Sequence, residues 1–189
     1  DCACFVVEHD MVNDTLMTLK RRGSHTTGTL SVLRTTDEDG NRTFEFTDKL
    51  GRTVLTRSMN GNEKLDTYHV WNLYGKPCAV LPPAASDALA NSNDTCWAST
   101  HEVLEKHAYL YRYHAARGTL CTAKKLPGCG WTLYRYDQNN RLIFTQDAVL
   151  RAQGKWRFTL PDVHGRICMT GICTNTESSL QGLSGKSVV

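Results

Sequence analysis

The feature that most constrains this chain is a short polar turn that recurs between alternating runs. Its clearest copy is Asp48-Lys49-Leu50-Gly51, followed by Arg52, inside the stretch Thr43–Met59. In a strand, residues two apart share a face. Phe44 and Phe46 therefore lie together before the turn, while Val54 and Leu55 after it are expected on opposite faces. An Asp at the first position of a type I turn accepts backbone N–H bonds from residues further on. A Gly at the fourth takes φ > 0 and forms a one-residue bulge that restores strand pairing. The stretch reads as a β-hairpin with a stated mechanism.

The device returns along the chain. Asn72 and Gly75 hold the first and fourth places before Lys76; Asp137 and Asn140 hold them before Arg141; Asp162 and Gly165 hold them before Arg166. Asn is the residue after Gly that best tolerates φ > 0. His114-Ala115-Ala116-Arg117-Gly118 is a degenerate copy with one extra residue, and Asp37-Glu38-Asp39-Gly40-Asn41 is an earlier turn without the Arg. Counted from the residue before each box (47, 71, 113, 136, 161), the steps are 24, 42, 23 and 25, a repeat with one insertion. A single hairpin is marginal in water, so hairpins laid side by side must share a buried face. The expected fold is mainly β: consecutive antiparallel hairpins in a curled sheet, with one short helical insertion.

Tyr136-Asp137 with Arg141-Leu142, repeated with variation, resembles the YD repeat of the Rhs and teneurin-like families. The blocks Asp66-Thr67-Tyr68, Val80–Asp87, Lys125-Leu126-Pro127-Gly128 and Thr145-Gln146-Asp147 are similar to Rhs-repeat proteins of the Bacteroidetes type. The resemblance spans roughly residues 28–172. His114 replaces a box Asp, Asn140 a Gly and Pro161 a Tyr. What the resemblance implies is a structural role: hairpins that build a hollow shell around another part of the same polypeptide, in a secreted or cell-surface protein. The partners it implies are neighbouring repeats of the same parent chain. In that reading the box Asp and Gly set turns, and the Arg and the preceding aromatic cover neighbouring hairpins. An Arg has the stem to lie across apolar surface and the fork to bond carbonyls or a carboxylate.

Five segments follow from this. Residues 1–28 are read as a strand and a polar loop, 29–83 as hairpin repeats, 84–108 as an insertion, 109–173 as further repeats, and 174–189 as a flexible tail. Ala84–Ala90 can form a short helix after the double Pro; Ser99 and Glu102 have capping-box spacing, so a helix is expected from Thr100 to Ala108, read as the one element that breaks the β pattern. Asp1 stands where a Met would, which reads as a fragment of a longer array. Net charge is only +3 and no face is evidently basic, so nothing calls for nucleic acid or an anionic membrane. No apolar run approaches the ~20 residues of a membrane span. Eight cysteines in 189 residues are too sparse for a disulfide scaffold. Their pairing is not fixed by spacing, and most are read as small core residues.

Candidate chemistry is thin. His101 and His107 stand six apart where a zinc helix needs four. Cys2 and Cys4 are one residue apart, without a second pair nearby. No phosphate loop or nucleophile elbow occurs. Neither a catalytic residue, a metal ligand nor a cofactor is expected. An alternative reading is a carbohydrate- or protein-binding surface built on exposed aromatics, with Trp97 in the insertion loop as the contact. An enzyme with a site in the insertion is a third. Exposed sheet edges pair readily, so an edge-strand homodimer is also to be considered.

Overall fold

The computed structural model describes residues 2–9, 16–115 and 118–174. It is mainly β and antiparallel throughout. In chain order the elements are β1 (Ala3–His9), β2 (Met17–Ser24), β3 (Ser31–Thr36), β4 (Arg42–Thr47), β5 (Thr53–Asn60), β6 (Glu63–Trp71), β7 (Pro77–Leu81), α1 (Pro83–Ala90), β8 (Cys96–Ala98) and α2 (Glu102–His107). There follow β9 (Tyr109–Tyr113), β10 (Cys121–Lys125), β11 (Thr132–Tyr136), β12 (Leu142–Gln146), α3 (Ala148–Ala152), β13 (Lys155–Pro161) and β14 (Ile167–Thr174). An 11-stranded sheet runs β3-β4-β5-β6-β7-β9-β10-β11-β12-β13-β14, and a 3-stranded sheet runs β1-β2-β8.

Because each strand runs against its neighbour, successive connections fall alternately on two edges of the large sheet. The turns at 48–52, 72–76, 114–118, 137–141 and 162–166 all fall on one edge, called here the box edge. The repeat step of about 24 residues is two strands and two turns. The Asp37 turn falls on the opposite edge, which explains why it lacks the box Arg. That edge also carries the Asn60–Glu63 turn, the connection through α1, β8 and α2, and the connection through α3.

One face of the large sheet is covered. Leu55, Tyr68, Val70, Ala79, Leu81 and Leu110 pack beneath Met17, Leu19 and Trp97 of the small sheet and Ala85, Leu89 and Leu104 of the two helices. A second cluster, Ala123, Leu133, Ile143, Phe144 and Trp156, lies further along the same sheet. Two buried cations pin the covering layer by bonding carbonyls. Arg112 Nη1 donates to Leu16 O at 3.0 Å, and Lys125 Nζ donates to Glu105 O at 2.8 Å. Burial holds the Lys125 ammonium below its usual pKa.

Several sequence expectations are corrected. Val54 and Leu55 do not lie on opposite faces. The register shifts between Phe46 and Thr47, and the resulting bulge turns both side chains toward the covered cluster. The polar segment after residue 9 contains the strand β2, which pairs with β1 over six residues of register. The expected loop at Asn13-Asp14 lies outside the described residues. The insertion holds the short helix read after the double Pro, as α1, but also the strand β8, and α2 begins at Glu102 with His101 as its N-cap, whose Nδ1 accepts from Val103 N. Ser99 accepts instead from Met17 N at 3.3 Å, tying the insertion to β2. A third helix, α3, is capped by Asp147, whose carboxylate accepts from Leu150 N at 2.8 Å. The elements β1, β2, α1, β8 and α2, divided by sequence between two segments, form one covering layer. Of the 174–189 tail only Thr174 is described, and it closes β14. The cysteines are free. Only Cys2 and Cys78 are buried, and burial pushes their thiols up to about 11; Cys96, Cys129 and Cys168 are exposed.

Candidate functional site: the box edge

Each box builds its own turn from one side chain. In the first, Asp48 N donates to Arg52 O at 2.9 Å and Gly51 N to Asp48 O at 3.0 Å. The Asp48 carboxylate then accepts from Leu50 N, Arg52 N and Arg52 Nε. Gly51 takes φ 77°, the left-handed value the turn requires. Asp137 repeats the set with Asn139 N, Arg141 N and Arg141 Nε. At its fourth position Asn140 takes φ 63° without a glycine. Asp162 does the same with His164 N, Arg166 N and Arg166 Nε. At Asn72 the amide oxygen accepts from Tyr74 N and Lys76 N, and Gly75 closes the turn. Burial opposes ionisation of Asp48 and Asp137. The guanidinium and amide bonds outweigh it, and both carboxyls lie below the usual Asp value. The amide of Arg166 acts first among the causes that lower Asp162.

The boxes are also joined to each other, in two directions. Forward, Arg52 Nη1 donates to Asn72 O at 3.1 Å, and Arg141 Nη1 donates to Asp162 O at 2.8 Å. Both acceptors are the first carbonyl of the next box. Between them, Lys76 stands where a fork is needed, and the Asn72 amide substitutes: its Nδ2 donates to Gly118 O at 3.0 Å. Backward, the aromatics before three boxes donate to carbonyls just past the preceding box. Trp71 Nε1 reaches Thr53 O at 2.8 Å, Tyr113 Oη reaches Pro77 O at 3.0 Å, and Tyr136 Oη reaches Cys121 O at 2.9 Å. The first and second boxes, and the second and third, are thus latched by a donor from each side, in addition to the sheet ladder; among the described residues the third and fourth are joined by Tyr136 and the fourth and fifth by Arg141.

The eleven turn residues expected from sequence lie together on this edge; Arg117 of the degenerate copy lies outside the described residues. Trp97 does not belong to the edge and is not on a surface loop. It lies in β8 opposite Leu19, 1% exposed, and its Nε1 is buried without a partner among the described residues. The expectation of an exposed contact overlooked that the insertion itself packs as a strand against β2. Sequence reasoning missed Gly118 as a junction: a Cβ there would run into the Tyr74 ring. It also missed the aromatic's backward acceptor. The signal was present in the recurrence of Trp71, Tyr113 and Tyr136 directly before a box.

Among the described residues no group of three His, Cys, Asp or Glu side chains is placed to hold a metal ion. No helix there is long and apolar enough to cross a membrane. A cavity of about 190 Å³ lies beside the first box, lined by Cys4, His25, Arg52, Tyr68 and Trp71 among others. Its Arg52 and Trp71 donors are already spent on Asp48, Asn72 and Thr53.

No protein-family model matches this chain. No curated protein matches it either. Among solved structures, the chain is similar in fold to one in the crystal structure of TcdB2-TccC3-Cdc42, with a TM-score of 0.51 and 11% sequence identity. The match covers 93% of this chain and 12% of that one, so this chain spans about an eighth of its structural neighbour's length. At that identity the likeness is one of fold.

Proposed function

We propose that this chain is a structural segment of a secreted or cell-surface repeat protein of the Rhs/YD type, contributing hairpins to a β-shell and catalysing nothing itself. The observation that carries the reading is that every box is bonded to the next by a side chain, from both sides at the first two junctions. Side chains that a ligand site would leave free for a ligand are here consumed by neighbouring repeats. Residues that recur with a repeat serve the repeat, and Arg141 bonds both its own box carboxylate and the first carbonyl of the next box. That the chain matches in fold 12% of a much longer chain is in keeping with a place within a longer array.

The reading is tested by the stability of Arg52→Ala and Arg141→Ala. Each loses a charge-assisted carbonyl bond and an ion pair, and a cost of about 1–3 kcal/mol is expected from denaturant unfolding. If both variants unfold at the wild-type midpoint, the latch is not structural and the reading falls. The exported location is tested separately, by labelling intact cells that carry the parent protein with a membrane-impermeant reagent. A parent protein that remains unlabelled and absent from the medium contradicts it.

A further inference from the structure

We infer that the box edge docks on an anionic lipid surface, with the tips of the first two boxes as the points that enter it. The inference goes beyond the scaffold reading and uses side chains that the latch leaves out. In these two boxes the turn bonds take only a backbone N–H from the third position and nothing from the second. The fourth box makes the same bonds with Gln138 and Asn139 in those places. Yet the first box holds Lys49 and Leu50 there, and the second Leu73 and Tyr74. Leu73 is 98% exposed, Leu50 75%, and Tyr74 59% even though its ring lies over Gly118. The turns do not require these apolar side chains, and nothing in the fold covers them. Neighbouring boxes are two strands apart, about 10 Å, so the two tips form one point of contact.

Charge is divided by edge in the way such a surface demands. Among the described residues the box turns carry Lys49, Arg52, Lys76, Arg141 and Arg166 against Asp48, Asp137 and Asp162. Each of those carboxylates is held by the Arg of its own box. That leaves Lys49 and Lys76 as exposed ammonium groups beside the apolar tips. The connections on the opposite edge, 37–41, 61–62, 82–108, 126–131 and 147–154, hold eight Asp or Glu against two Lys or Arg. A net charge of +3 conceals this division. At an anionic bilayer the Leu and Tyr side chains enter the boundary between headgroups and acyl chains, while the Lys stems lie along it and keep their ammonium groups among the phosphates. The same surface repels the acidic edge, which fixes the orientation. A second copy meeting tip to tip would set Lys49 and Lys76 against like charges, a contact that opposes association.

The test sediments the whole chain with sucrose-loaded vesicles, either of phosphatidylcholine alone or of equal parts phosphatidylcholine and phosphatidylserine. The expected result is binding to the mixed vesicles that weakens as salt rises, and little binding to phosphatidylcholine. Leu50→Ser with Leu73→Ser is expected to lower the partition by roughly tenfold or more. Lys49→Gln with Lys76→Gln is expected to lower it by roughly tenfold. All four side chains are exposed, so both variants should keep the wild-type melting temperature; the lysine variant, which removes no apolar surface, carries the test if the serines lower it. Four outcomes overturn the inference: no binding to either vesicle, equal binding to both, a partition that neither variant changes, or a dimer in light scattering that the serine variant abolishes. None of these bears on Arg52→Ala or Arg141→Ala, so the scaffold reading stands or falls on its own test.

Discussion

Along one edge of the large sheet the chain turns through boxes that bond each other; along the other it turns through whatever the segment offers. The two edges join the same strands. At the box edge the connections are short and alike, and Arg52, Asn72 and Arg141 each bond two hairpins at once. At the opposite edge lie a turn of Asp37, a turn of Asn60, two helices with a strand, and α3. The difference is one of what the connection bonds to. Asp137 is wholly buried and accepts from its own turn while Arg141 holds the next. Asp37 is exposed and its carboxylate accepts from Asn41 N and Nδ2, bonds that stay within the turn. Insertions are tolerated where the connection serves only itself, and the long α1–α2 excursion is found there.

The sharpest way to break this contrast is Asp137→Ala. It removes a buried acceptor and leaves Arg141 without its carboxylate, at an expected cost of about 3 kcal/mol in denaturant unfolding. A loss below about 1 kcal/mol, the usual value of an exposed pair, would show the box edge to be no stronger than its opposite. Next is Gly118→Ala. The backbone there has φ 57° and Tyr74 covers the space a methyl would need, so a loss of about 1–3 kcal/mol is expected from strain and overpacking. An unchanged stability would mean that the Asn72–Gly118 junction yields freely.

Acid should act in the same order. The Asp48, Asp137 and Asp162 carboxyls lie below their ordinary values in the folded chain. The stability they contribute is therefore complete above the unfolded value of about 3.9 and is lost as pH falls from there through the lower folded values. Melting temperature is expected to drop as pH falls below about 4, and to drop less in Asp137→Asn. Equal slopes in the two proteins would remove Asp137 from the account. The smallest effect is expected at Asp37→Ala, about 0.5 kcal/mol, since that turn is exposed and bonds nothing beyond itself.

What could be read in the sequence was whatever is local. Asp48, Gly51 and Arg52 build their turn from one another within five residues, so spacing alone reveals it, and the 24-residue step reveals that the turns share an edge. The acceptors were not legible, because Arg141 bonds a carbonyl 21 residues on, and any residue supplies a carbonyl. The same limit hid β8 and the burial of Trp97: a three-residue strand has no periodicity of its own and exists because β2 offers it an edge. In contrast, α3 could have been found, since Asp147 precedes a run of good helix formers as an N-cap should. The bulge at Val54 was half legible. Gly51 announces it, but which side chains it turns inward depends on the register with Phe46.

The latch between boxes is tested most directly by hydrogen exchange in Arg141→Lys, which keeps a charge beside Asp137 and removes the forward fork. Faster exchange at the amide of Gly165, which closes the next turn on the Asp162 carbonyl, is the expected result, together with little change in the opposite-edge turn at Gly40. Exchange altered only between residues 137 and 141 would contradict it, and each box would then be a turn that serves its own hairpin alone.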